Sequence, residues 1–154
     1  VFIKNARLVI LFQPTYTLKK IAQIDFEALG SAFNQLFLEV SGYEKHRVIK
    51  LGVTRTVSYA YLDENRITIA RLACVHKPQF FEHLVHEFRH WIQKNHFKIK
   101  VNTEEKNYEK YYNSPEEKDA RKFEQITKLT EQLYDTIIEM KRLIKNKELW
   151  YYEQ

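Results

Sequence analysis

The chain of 154 residues contains one cysteine, three glycines and three prolines. With Cys74 alone, neither an intrachain disulfide nor a cysteine-rich zinc site can form. Cys74 follows an apolar run and reads as a buried, inert thiol. So few glycines and prolines exclude long flexible linkers and mark few sharp turns. No apolar run approaches the roughly 18 residues needed to span a bilayer. The longest, LVILF at 8–12, is the length of a strand. No signal-peptide pattern is visible, which carries little weight in a chain that starts at Val1 rather than Met. A cytoplasmic or virion-associated setting is expected, with no membrane partner.

What is present is an ordinary globular balance, 44% apolar and 29% charged, with a high aromatic share from ten Tyr and ten Phe. That suits one compact domain over 1–154 with a real core. The net charge of +5 permits an anionic partner. Lysines are nevertheless interleaved with glutamates along the whole chain, as on a solvated helix surface, so nucleic acid is not favoured.

Periodicity predicts an α+β chain. A strand is expected in 1–13, ended by Pro14. A helix is expected over 17–41, interrupted near Gly30, with a turn at 41–43. Residues 47–62 are rich in Val, Thr and Tyr and read as one or two strands, closed by a turn at 63–65. RITIARLA at 66–73 alternates and reads as an edge-like strand. Pro78 suits the first turn of a helix over 79–95. Residues 96–113 read as a Tyr-rich surface loop, and a helix runs from Ser114 onward.

The helix at 79–95 holds the chemistry. Its segment EHLVHEFRHWIQ sets His83, His86, Glu87 and His90 among large apolar residues. Residues four apart lie one turn apart on the same face, about 6 Å along the axis. His86 and His90 therefore converge and can share one zinc ion. Glu87, one residue on from His86, can stand beside the metal and accept a proton from the water it activates. His83 lies roughly 10.5 Å of rise from His90, too far to join it on one tetrahedral ion. It reads as a neighbour, a substrate contact or a surface residue.

A catalytic zinc takes a third protein ligand, and YYNSPEEKDARKFEQ at 111–125 is the place to seek it. Ser114 fits an N-cap, Pro115 the first helical position and Glu117 the capping-box position, which explains Glu117 structurally. Phe123, Ile126, Thr130, Leu133, Ile137, Met140 and Ile144 form a stripe in steps of three and four. Stepping back from Phe123 reaches Asp119 and then Glu116. Asp119 ranks first as ligand, Glu116 second and Glu117 third.

HEFRH followed some thirty residues later by DARKF resembles the zincin metallopeptidases. More narrowly, it resembles small gluzincin-like proteins of the ImmA/IrrE and phage-encoded type. The resemblance covers about 66–124. It implies a small zincin-like α+β domain, with a short mixed sheet packed on the active-site helix and a long C-terminal helix. It also implies zinc held by His86, His90 and Asp119, with Glu87 as general base and a protein or peptide as substrate. The third ligand in such proteins is usually Glu, where this chain has Asp119. The strand RITIARLA would bind substrate as an added strand. A Tyr at 108, 111 or 112 could assist the oxyanion, although a surface role suffices. A structural or virion-associated protein keeping the same scaffold is the alternative, with the C-terminal stripe open to oligomer contacts.

Overall fold

The computed structural model describes residues 8–36, 45–55, 60–95, 97–98 and 107–153. It is α+β. Strand β1 (Leu8–Pro14) leads into helices α1 (Tyr16–Ile21) and α2 (Phe26–Leu36), then strand β2 (Lys45–Thr54). Strands β3 (Tyr61–Asp63) and β4 (Arg66–Ala70) follow, then α3 (Arg71–Cys74) and the long α4 (Lys77–Asn95). Helices α5 (Tyr108–Tyr112), α6 (Pro115–Phe123) and α7 (Thr127–Glu153) complete the order, with a 3-10 turn at Glu124–Ile126 between the last two. Among these helices none is long and apolar enough to cross a membrane.

The helical break lies upstream of Gly30. Asp25 caps α2 by accepting from the Ala28 amide at 3.0 Å, so the chain stops at Ile21 and restarts at Phe26. Gly30 instead sits inside α2, where an added Cβ would lie 3.4 Å from the Ile10 carbonyl oxygen. Its lack of a side chain lets α2 lie close against β1. One turn on, the Asn34 side chain both accepts from the Ile10 amide and donates to the Ile10 carbonyl. That covers part of the β1 edge of the sheet. The expected turn at 41–43 and the residues before Leu8 lie outside the described residues.

The sheet has the order β1-β2-β4-β3. Strands β1, β2 and β4 run parallel, and β3 joins β4 antiparallel through a two-residue turn in which Glu64 has φ 53°. The expected turn at 63–65 is there. The expected edge strand is not. Strand β4 is flanked by β2 and β3, and Ile67, Thr68, Ile69 and Ala70 are all buried. It also ends at Ala70, because Arg71–Cys74 turn into α3. Backbone pairing for a substrate along the side of Arg66–Thr68 is already taken by β3.

One face of the sheet is closed by α2 and α4. Phe12, Phe33 and Phe88 meet edge to face, with centroids 5.0 Å apart for Phe12–Phe33 and for Phe33–Phe88, and Trp91 stacks on Phe88. Leu84, Val85, Phe88 and Ile92 of α4 are fully buried in this core. Edge-to-face rings and dense apolar packing fix the rotation of α4 about its axis. Helix α7 packs on α2 and α4 through its first half, where Thr130 and Tyr134 are buried. Tyr134 accepts the Asp25 amide, and Lys141 pairs with Asp25. The apolar stripe does not stay inside to its end. Met140 and Ile144 are 53% and 57% exposed.

Candidate metal centre

With its apolar face locked into the core, α4 turns His86, Glu87 and His90 toward α6. The second helix starts where the sequence places it. Ser114 accepts the Glu117 amide as N-cap, and Pro115 holds the first helical position. Helix α6 then lays its buried residues, Glu117 and Ala120, against α4. Ala120 has no exposed surface, and its small side chain lets the two helices approach.

Three side chains meet across this contact. Nε2 of His86 lies 3.0 Å from Glu117 Oε1, and Nε2 of His90 lies 2.9 Å from Glu117 Oε2. The two Nε2 atoms are 3.2 Å apart. Ligands about 2.0–2.1 Å from a tetrahedral zinc are separated by about 3.3 Å, so the spacing suits such an ion. The ligand atoms all lie within 4.8 Å of one another, and His86, His90 and Glu117 are the one such cluster among the described residues.

Glu117, ranked third as ligand from the sequence, holds the place expected of Asp119. Asp119 instead faces Arg89 and Gln93, accepting from Arg89 Nε at 2.7 Å and from Gln93 Nε2 at 2.8 Å. Glu116 offers Gln93 its backbone carbonyl. The physical reason is a change of helical phase. Stepping back along the α7 stripe leads to Asp119, but the 3-10 turn at 124–126 separates α7 from α6. Three residues at 3.0 per turn instead of 3.6 rotate the inward face by about 60°. Phe123 is only half-buried and lies over the Arg89 guanidinium, centroid distance 4.6 Å, so it was a poor origin for that count.

The outer nitrogens of the two rings are also engaged. His86 Nδ1 meets Glu124 Oε1 at 2.7 Å, and His90 Nδ1 meets Gln93 Oε1 at 2.9 Å. The Gln93 amide nitrogen donates to Glu116 O and Asp119 Oδ2, so its oxygen must face His90. Both imidazoles therefore carry Nδ1–H, assigned from the hydrogen-bond network. Each Nε2 then points a lone pair at the other ring and at a carboxylate. Such an arrangement needs a cation, either a proton on the rings or a metal ion between them. The donor set fits a metal.

No family model, curated protein or solved structure matches the chain. The donor geometry of the three side chains therefore characterises the site.

Its electrostatics follow from that geometry. Burial would depress the His86 imidazolium, but hydrogen bonds to Glu117 and Glu124 outweigh it and hold the ring up at about 10. His90 is raised as well, its burial opposed chiefly by Glu117. Burial would raise Glu117, and its bonds to the two histidines bring it well below the usual carboxylate range instead. Glu87 is 8% exposed, and burial lifts it to about 7 against the pull of His90 and His86. A carboxylate at that value can take up and give back a proton near neutral pH.

The remaining expected residues are placed as follows. His83 lies one turn before His86, outside the cluster, half-buried with Nδ1 lacking a partner among the described residues, and burial lowers its pKa. Tyr112 covers the Arg121 guanidinium at 3.5 Å and stacks with Tyr108. These tyrosines belong to α5, a short helix capped by Asn107 that the loop reading of 96–113 missed. Glu124 was also missed. It falls in the 3-10 turn, seven residues beyond Glu117, and nothing in its local pattern distinguishes it from a surface acid. A groove of about 470 Å³ opens beside it, lined by Glu82, Arg121, Thr127 and Lys128 among others.

Proposed function

We propose that the protein is a zinc-dependent metallopeptidase that hydrolyses protein or peptide substrates. The observation that carries this reading is the convergence of two Nε2 atoms and the Glu117 carboxylate, with buried Glu87 beside them. Zinc bound there supplies a Lewis acid that activates water near neutral pH and polarises a carbonyl. His86, His90 and Glu117 would hold it, which is the number of protein ligands a catalytic zinc takes. Glu87 accepts the proton of the attacking water and delivers it to the leaving amine.

Elemental mass spectrometry on purified protein tests the metal. About one zinc per chain, absent from His86→Ala, is the expected result for a three-ligand site. Glu87→Gln should keep the zinc and lose cleavage of a peptide library by about 10²–10⁴-fold. Full activity in that variant would remove Glu87 from its role. Protein that takes up no zinc when supplied would remove the whole reading.

A second reading, a structural or virion-associated protein on the same scaffold, is favoured by Leu129, Met140, Leu143 and Ile144, all exposed on α7. Apolar residues in that number suit contacts with other chains. Mass by light scattering that rises with concentration would support this role. A constant monomer mass would oppose self-assembly.

A further inference from the structure

The two imidazoles are held from behind by different groups. His86 has a carboxylate, Glu124, on its outer nitrogen, and His90 has an amide oxygen. That amide is Gln93, which is 1% exposed. A buried amide must satisfy its hydrogen-bonding groups or destabilise the fold. Gln93 does so in one orientation only, donating to Glu116 O at 3.0 Å and to Asp119 Oδ2 at 2.8 Å. Asp119 in turn receives Arg89 Nε at 2.7 Å and Nη2 at 3.3 Å. Arg89 is packed over the Phe123 ring at 4.6 Å and the Phe97 ring at 5.4 Å.

We propose that Arg89, Asp119 and Gln93 form a relay that positions His90 as a metal ligand. The inference rests on the reading of His86, His90 and Glu117 as a metal site. Arg89 fixes the Asp119 carboxylate, Asp119 fixes the Gln93 amide, and the Gln93 oxygen holds His90 Nδ1–H. The His90 Nε2 lone pair is thereby aimed at the ion. Partners of this kind on the outer nitrogen of a ligating histidine set ring orientation and donor strength.

The amide is the informative choice. A glutamate at 93 would set two carboxylates against each other at the Asp119 contact. The site already gathers Glu87, Glu117 and Glu124 around the histidines. Gln93 lets an acidic residue govern His90 without adding negative charge beside the ion, and Arg89 balances Asp119. Arg89 and Gln93, one turn apart on α4, thus serve one ring together with Asp119 of α6, which explains why Asp119 sits beside the cluster and not in it.

The test is zinc affinity, measured by competition with a chromophoric chelator on wild type, Gln93→Leu, Asp119→Ala and Asp119→Asn. The fold of each variant is checked by circular dichroism. Gln93→Leu and Asp119→Ala should bind about 10–100-fold more weakly. Asp119→Asn keeps an acceptor for the Gln93 amide and should recover most of the affinity. The proton NMR signal of His90 Nδ1–H should move upfield in Gln93→Leu, a shift that a merely structural tie between helices would not produce. Folded Gln93→Leu and Asp119→Ala that match wild type within about twofold would overturn the relay. So would an Asp119→Asn as weak as Asp119→Ala, since an acceptor for the Gln93 amide would then not be what His90 depends on. Wild type that binds no zinc would instead overturn the metal reading on which the relay depends.

Discussion

Zinc binding should expel protons, and the structure says how many. In the metal-free protein the His86 ring is held up at about 10 by Glu117 and Glu124 acting against burial. At pH 7 it is therefore protonated to better than about 99%. Zinc needs the Nε2 lone pair, so its binding must displace that proton. His90 is raised in the same way and shares the displacement. Release of between about one and two protons per zinc is expected at pH 7–8. Apparent affinity should accordingly rise about 10–100-fold per pH unit across that window, and competition from His86 alone should weaken binding about 10³-fold at pH 7. The assay is isothermal titration calorimetry in buffers of different ionisation enthalpy, where the slope of heat against that enthalpy counts protons. Glu117→Gln removes the carboxylate that both rings share. It should bind zinc more weakly while releasing fewer protons, because the rings then lose their hold on them. A wild-type slope below about 0.3 proton per zinc would refute the reasoning, since the rings would already be neutral.

In the metal-free protein, His86 has its folded pKa raised to about 10, so its contribution to stability is complete below about pH 6.5 and lost as pH rises through about 10. Thermal melts of chelator-treated protein from pH 6 to 10 should show a falling midpoint, and a flat profile would contradict the ring's role. Phe88 is fully buried between Phe33 and Trp91, so Phe88→Ala should lower unfolding free energy by about 3–5 kcal/mol in urea titrations. A loss under about 1 kcal/mol would mean the core closes over the gap. Burial pushes the Cys74 thiol up to about 11, so iodoacetamide should leave it intact in native protein at pH 8 and label it in denaturant.

The parts of the fold legible from sequence are those governed by local pattern. Helix α4 is one, because its apolar residues repeat at helical spacing and place His86, Glu87 and His90 on the remaining face. The turn at Glu64 and Asn65 is another. Strand order is a property of the whole sheet, and β4 illustrates the difference. Ile67 and Ile69 alternate with Thr68 and Ala70, which resembles a strand with one exposed side. All four are buried because β3 returns beside β4 and α4 covers it. Small and weakly polar residues do not distinguish an interior strand from an edge.

Glu117 shows why a site residue can be hidden by a correct local rule. The capping-box pattern was right about the helix start, since Ser114 does accept the Glu117 amide. The rule also expects the glutamate to reach back to the Ser114 amide. That amide instead donates to the Tyr111 carbonyl at 3.1 Å. The acceptor comes from α5, the turn that Asn107 starts and that a loop reading overlooked. With Ser114 already satisfied, the Glu117 carboxylate is released to face α4, one turn below Ala120 where the helices come closest. Whether a capping-box glutamate is spoken for thus depends on the segment before the cap. In a chain where an Asn-started turn ends two residues short of the N-cap, the acid at the third helical position is as available for a site as any residue on the buried stripe.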